Sequence, residues 1–463
     1  MRFAFFILAL IISTKAYSQT TQRDSLTIAK FFETALTDKQ GYEALRSLCH
    51  DVGHRLSGSP QDQKAVRWAV DYLKRCGADT VYKQDVMVPH WVRGEKEMAY
   101  IASRAFYTRE QPATVLALGG SIGTGKKGLK AKVIEVKGIA ALKELKREDV
   151  EGKIVFFNGP MEDQHISTFR AYGRCVGQRW AGAMEAAKLG AVGVVVRSVT
   201  SSVNEHPHTG SMGYADTIPK IPAVAIALTD ATTLSEAIKY DPNTEFFFRT
   251  TCENLPDVLS HNVIAELRGS EAPDEYLVVG GHLDSWDVGD GAHDDGAGCV
   301  HSAEVIRLMK QTGYKPKRTI RVVFFANEEN GLRGAIKYAE WVKETKQKHV
   351  VALESDAGGF TPRGFSFDTD STSFKRVKEW QPLLRDFYCG DLLFGWSGAD
   401  VGKLKGSSEV LAGFLPDSQR YFDHHHCATD TFDSIHPREL ELGAAACTAL
   451  LYLFDQHWTT APR

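Results

Sequence analysis

The sequence predicts an α/β protein: a mostly parallel sheet covered by helices on both faces, an αβα sandwich, into which a smaller α/β domain is inserted. Two observations carry this expectation. From Val263 onward, short apolar strands alternate with helices: "EYLVVGGH", "GAGCVHSAEVIRLMKQTG", "RTIRVVFFANEE", a helix from Leu332 to Lys346, then "HVVALESDAGG". Strands that are apolar throughout belong to a parallel sheet buried on both faces. From about residue 131 the texture is different, with the short β-rich runs "KVIEV", "GKIVFFNG", "GAVGVVVRS" and "IPAVAIAL" around one helix, "RWAGAMEAAKLG". That segment reads as a small separate unit.

Taken in order, the chain opens with Met1-Arg2, an apolar run from Phe3 to Ile12, and Ala16-Tyr17-Ser18 before Gln19. Small residues at the −3 and −1 positions mark 1–18 as a secretory signal peptide, and the apolar run is well short of the ~20 residues that span a bilayer. An exported, soluble protein is expected, periplasmic or extracellular, with no membrane partner. A helix-like start over Ser25 to Ala35 leads to "GHRLSGSPQDQKAVRWAVDYLKRCGAD". There Ser59 is a good N-cap, Pro60 fits the first helical position, Val66, Ala69, Val70 and Leu73 recur at helical spacing, and Gly77 closes the helix. The expected division is a main domain from 19–118 and 253–463, with the insertion at 119–252. The "GSIGTGKKG" stretch at 120–128 nearly fits a phosphate-binding loop. It lacks the Ser or Thr after the lysine, and the following "LKAKVIEV" reads as strand, so no helix N-terminus is there to hold a nucleotide.

The chain has 463 residues, 43% of them hydrophobic, which is enough for a large core. With Lys+Arg 55 against Asp+Glu 58 and no long basic run, nothing in the charge selects nucleic acid or an anionic membrane as partner. A small substrate fits better. The eight cysteines are scattered with no CxxC pair, which excludes a structural zinc knuckle. Export permits disulfides, but a chain of this size does not need them.

The densest chemistry is "GGHLDSWDVGDGAHDDGAG", residues 280–298, with two histidines and five aspartates directly after an apolar strand. Carboxylates packed this closely repel one another unless a cation or protons neutralise them, or water screens them in an open Asp-Gly turn. Two further strands also end in acid: Glu328 and Glu329 after one, Asp356 after the next. Independent surface turns have no reason to place carboxylates at the same end of one sheet, whereas α/β sites form there. A fourth piece, "YFDHHHCATDTFDSIHP" at 421–437, supplies histidines. Histidine and carboxylate ligands without thiolates suit zinc, with cobalt or manganese as substitutes.

The motifs "GGHLDSWDVGDGAHDDGAG", "FANEENG", "ESDAGG" and "HHHCATDT" resemble those of the co-catalytic di-zinc exopeptidases. The likeness extends to "RLSGSP", "EAAKLGA", "PHTG" and "IPKIPAVAI", and so covers nearly all of the chain after the leader. It implies a zinc-exopeptidase domain with a protease-associated-like insertion, two zinc ions per chain, a homodimer, and an unblocked dipeptide or short peptide as substrate. Position by position it implies His282 and Asp356 on one zinc, Glu329 and His426 on the other, and Asp294 bridging both. His426 is chosen from the triplet because the family's last ligand lies four residues before the Asp of an Asp-Thr pair, here Asp430-Thr431. Glu328 matches the general base, and Asp284 the carboxylate that orients the His282 ring. The resemblance also implies a cis peptide between Asp294 and Asp295. Two places depart from the members this chain most resembles: Ala428 replaces a histidine, and the segment Trp396 to Asp400 differs. Both bear on specificity more than on metal chemistry. The alternatives that stay open are an aminopeptidase for longer peptides and a catalytically silent binding protein of the same architecture.

Overall fold

The computed structural model describes residues 22–459; the expected leader at 1–18 lies outside them. Two eight-stranded sheets organise the chain. The first runs, edge to edge, Thr80–Val92, Glu253–Leu267, Arg318–Phe325, Ala272–His282, Lys348–Glu354, Ser408–Pro416, Pro362–Asp368 and Asp391–Phe394. Its centre, from Arg318–Phe325 to Ser408–Pro416, is parallel, as the apolar strands predict. Antiparallel pairings flank this centre on both sides.

Alternate residues of those strands feed two cores. Leu277, Val279, Ile320, Val322 and Phe324 face one layer of helices, which includes 22–38, Pro60–Arg75, Ala297–Thr312 and Pro437–His457. Val278, Val323 and Phe325 face the other layer, where Ala335, Tyr338 and Val342 of the helix Arg333–Glu344 pack. The expected αβα sandwich is therefore present. The cap is as read: Ser59 accepts a hydrogen bond from the Asp62 amide at 3.1 Å, Pro60 opens the helix, and Gly77 follows its end at φ 88°.

The second sheet contains the four runs read from sequence, Leu129–Val136, Ile154–Phe157, Gly193–Arg197 and Ala223–Ile226, in consecutive parallel pairing. It also takes in Met98–Ala102, Glu110–Ala113, Val115–Ala117 and Glu245–Arg249. The first three precede residue 119, where the sequence places the start of the insertion, so the second sheet begins earlier than expected. Their signal is weak because they are only three to five residues long, too short for an apolar alternation to stand out. The glycine-rich stretch at 120–128 leads into the strand Leu129–Val136 and not into a helix, as read.

All eight cysteines are buried and unpaired. Among the described residues no helix is long and apolar enough to cross a membrane.

One glycine fixes how closely the helix Ala297–Thr312 approaches the end of the sheet. A side chain at Gly298 would overlap the Ser355 carbonyl oxygen and the Asp295 carboxylate. Gly298→Ala is therefore expected to destabilise the protein by at least about 1–3 kcal/mol, the usual cost of overpacking. Chemical denaturation checks this, and an unchanged midpoint would contradict the close approach.

Candidate metal centre

Parallel pairing sets the carboxyl ends of three strands side by side: His282 is opposite Phe325, and Gly280 is opposite Glu354. His282 ends its own strand, Glu328 and Glu329 follow Phe325 by a short turn, and Asp356 follows Glu354 by one residue. The irregular turn Ala292–Gly296 brings Asp294 over these ends. The segment at 425–426 closes the remaining side.

Asp294 divides the cluster in two. Its Oδ1 lies 3.1 Å from His282 Nε2, which is itself 3.5 Å from Asp356 Oδ1. Its Oδ2 lies 3.2 Å from His426 Nε2, which is 3.0 Å from Glu329 Oε2. The structure thus brings His282, Asp294, Glu329, Asp356 and His426 together at one edge of the sheet. Burial would raise the Asp294 pKa, but His282 and His426 outweigh it and hold the carboxyl well below the ordinary range. Burial lowers His282 while Asp356 and Asp294 outweigh it and raise it well above normal. In the same way Glu329 and Asp294 override burial at His426 and bring it to about 9.

The chemistry of these donors fits a divalent cation. Asp294 Oδ2, Glu329 Oε1 and Asp356 Oδ1 are buried without a hydrogen-bond donor, a costly arrangement unless something positive faces them. All the candidate donors are oxygen or imidazole nitrogen. Cys299 is close by, but it points at the His282 carbonyl oxygen at 3.1 Å and burial holds its thiol protonated. Donor atoms converge in three combinations: Asp294 with His425 and His426, His282 with Asp295 and Asp356, and His282 with Asp294 and Glu329.

Hydrogen bonding separates these alternatives. The Asp295 carboxylate accepts the His282 and Gly298 amides, each at 3.0 Å, so it is committed to the backbone, and the Asp294-Asp295 peptide is cis. His425 Nε2 is 3.9 Å from Asp294, and burial together with neighbouring His426 drives its pKa well down. Its ring stacks on His426 with centroids 3.5 Å apart. His424 turns away to the Thr429 carbonyl and stacks on His293.

Asp284 departs from the role expected of it. The His282 Nδ1 partner is the Asp284 backbone carbonyl at 2.9 Å, while the carboxylate is 3.8 Å away. The carboxylate instead accepts the Glu328 amide at 3.0 Å, the Glu329 amide at 3.4 Å and the Ser57 hydroxyl at 3.0 Å. The reason is geometric, since a carbonyl two residues on reaches the ring directly and leaves the side chain free to hold the neighbouring turn.

Several positioning residues escape a sequence reading. Arg55, fully buried, donates to the carbonyls of Leu283, Asp290 and Gly291 and so fastens the loop that carries Asp294. Asp430 accepts the His293 and Asp294 amides at 2.6 and 3.1 Å. Sequence uses Asp430 only to register the histidines. From the second domain, His208 Nδ1 lies 2.6 Å from the His425 carbonyl, and the Thr209 amide donates to the His426 carbonyl at 3.0 Å. Burial holds His208 down at about 3, so it is neutral and Nδ1–H is the donor.

A cavity of about 390 Å³ opens over the cluster. Glu328, Asp294 and His426 line it, together with Tyr172, Arg179 and Trp180 from the helices that accompany the second sheet. Trp396, from the segment that departs from the relatives, lines it too, whereas Ala428 is exposed and does not.

Fold and site together define a metallo-exopeptidase: an αβα sheet whose carboxyl edge holds buried carboxylates and histidines at the foot of a cavity. The chain belongs to peptidase family M28, whose description "Peptidase family M28" matches residues 262–450. It is 34% identical to carboxypeptidase Q of Homo sapiens over 92% of this chain and 87% of that protein. Among solved structures it resembles the Peptidase M28 precursor of Shewanella amazonensis SB2B, at a TM-score of 0.90 and 33% identity over 96% of this chain and 99% of that one. The fold is also that of BSAP, a zinc aminopeptidase from Bacillus subtilis, at a TM-score of 0.64 and 20% identity over 90% of this chain and 95% of that one.

Removing His426 should strip metal, whereas removing His425 should not. Metal analysis of purified His426→Ala is expected to show loss of at least one equivalent relative to wild type, and His425→Ala to retain the wild-type content. The reverse ranking would move the ligand by one residue.

Proposed function

We propose that this chain is an exported zinc exopeptidase that hydrolyses unblocked dipeptides and short peptides. In this reading two zinc ions are held by His282 and Asp356, by Glu329 and His426, and by Asp294 between them. The observation that carries it is the division of the Asp294 carboxylate, with one oxygen toward each pair. Bound zinc supplies a Lewis acid that polarises the scissile carbonyl and acidifies water.

The protein's own groups do the rest. Glu328 is half-buried in the cavity wall, and burial with the Asp356, Asp400 and Glu329 charges raises its pKa well above that of a solvated glutamate. It is a correspondingly stronger base, and cations bound at the centre would oppose the rise. It takes the proton of the attacking water and passes it to the leaving amine. Asp284 and Ser57 hold the Glu328–Glu329 backbone so that one glutamate stays at the cluster and its neighbour stays free.

The cavity favours short substrates. Its volume of about 390 Å³ is of the size that a dipeptide fills. Export rests on the leader read at 1–18, and a homodimer is expected from the resemblance.

Glu328→Gln is expected to keep the fold and wild-type metal content and to lower kcat by roughly 10² to 10⁴, because it removes a proton acceptor and no ligand. Steady-state kinetics alongside metal analysis checks this, and near-normal turnover would remove Glu328 from the reaction. The substrate reading is tested with a dipeptide, its N-acetyl form and a pentapeptide starting with the same residues. kcat/KM is expected to fall at least about tenfold on N-acetylation, equivalent to ~1.4 kcal/mol. Equal or faster release of the first residue from the pentapeptide would leave an aminopeptidase instead.

A further inference from the structure

We propose that the cavity selects substrates that carry an aromatic or large aliphatic side chain, and that Trp396 sets this preference. This rests on the exopeptidase reading above and adds to it the side-chain class of the substrate.

The lining of the cavity carries two chemistries. One part is the cluster of carboxylates and imidazoles, with Glu328 beside it. The other is a row of rings that runs from the exposed Trp396 to His426. Between ring centroids, Trp396 lies 6.4 Å from Phe169, Phe169 stacks on Tyr421 at 5.4 Å, Tyr421 lies 5.3 Å from His425, and His425 stacks on His426 at 3.5 Å. The first three spacings fall in the range of packed aromatic pairs, about 4.5 to 7 Å. On either side of a scissile bond the first side-chain carbon is two or three bonds from the scissile carbonyl carbon, roughly 2.5 to 4 Å away. A substrate whose carbonyl sits at the cluster therefore has its side chains beside this row.

Two observations single out Trp396. The first is exposure. Tyr421 and Phe422 are buried, whereas Trp396 is 49% exposed and Trp180, which lines the same cavity, is 52% exposed. Single exposed apolar side chains are ordinary, but two half-exposed indoles on one cavity are the pattern of a ligand-binding surface. The second is how firmly the indole is carried. Before it, Gly395 donates its amide to the Phe367 carbonyl at 2.8 Å and turns the chain at φ 123°, a conformation natural only to glycine. After it, the buried Glu354 carboxylate accepts the Ala399 amide at 2.8 Å and the Val401 amide at 2.6 Å. A ring presented on a segment pinned at both ends meets a ligand with little ordering left to do. Trp396 also opens the segment in which this chain departs from the family members it most resembles, so the preference is this chain's own.

The competing occupant of the indole is a second copy of the chain. Continuity of the ring row with the metal cluster favours the substrate. Zinc-loaded wild-type enzyme is assayed on unblocked dipeptides in which one position is Ala and the other is Ala, Gln, Leu or Phe, each position being varied in turn. At one of the two positions kcat/KM is expected to rise at least about tenfold from Ala to Phe, with Leu above Gln. In Trp396→Ala with wild-type metal content, that Phe-to-Ala ratio is expected to fall by roughly fivefold or more, chiefly through KM for the Phe substrate. Trp396→Phe is expected to keep most of the ratio. Sedimentation of Trp396→Ala is expected to show the self-association of the wild type. A wild-type enzyme that treats Phe, Gln and Ala alike at both positions overturns the proposal and leaves the peptidase reading standing. A Trp396→Ala enzyme with an unchanged ratio overturns it as well, whether or not its rates fall in proportion. Loss of self-association in Trp396→Ala, whatever the ratio, assigns the indole to a subunit contact and overturns it too. Inactivity of the wild type on every dipeptide overturns the peptidase reading and this one with it. Where Trp396→Ala does not fold, Trp396→Gln supplies the same comparison with the same expected fall.

Discussion

Every part of this site answers one constraint: a carboxylate taken out of water must have both of its oxygens faced by something positive or by a donor. Asp294 and Asp295 are neighbours in sequence and solve it in opposite ways. Asp295 turns inward and spends itself on the amides of His282 and Gly298, which fixes the strand end to the start of the next helix. Asp294 turns outward and meets only imidazoles, leaving lone pairs that no protein donor fills. Glu329 and Asp356 stand the same way. The centre is thus a place where the fold withholds its own donors, and the surrounding backbone is fastened tightly enough to make that sustainable.

The fastening is done by residues far away in sequence. Arg55 ties down three carbonyls around the 283–291 loop, Asp430 holds the amides of His293 and Asp294, and Ser57 holds the carboxylate that in turn holds the glutamate turn. Charged side chains bonded to backbone, and not to one another, make the geometry insensitive to the rotamers of the reacting groups. Precise placement of first contacts by such support is what a preorganised site requires.

Much of this is legible in sequence because a parallel sheet announces itself. Three apolar strands with acid at their ends identify His282, Glu328, Glu329 and Asp356 as neighbours before any coordinates are consulted, since such strands all end on one edge. Two decisions lie beyond composition and spacing. Asp294 and Asp295 are indistinguishable as residue types, and only the turn that points one out and the other in separates them. His425 and His426 differ by one position, and the contacts of the preceding segment with His208 and Thr209 set which ring faces Asp294. Asp284 illustrates a different limit, because a main-chain carbonyl can take over a function that a side chain suggests. The strands at 98–117 are invisible for a plainer reason, being too short to show a pattern.

The histidine segment is gripped by residues of the second-sheet region through its main-chain carbonyls: the Thr200 hydroxyl donates to the Phe422 carbonyl, the His208 ring to the His425 carbonyl and the Thr209 amide to the His426 carbonyl. By linkage, whatever binds the completed centre more tightly than the incomplete one also strengthens the seam between the domains, and by the same free energy. Occupancy of the centre and cohesion of the two domains are one equilibrium seen from two sides, so the interdomain seam doubles as a gauge of how fully the centre is loaded.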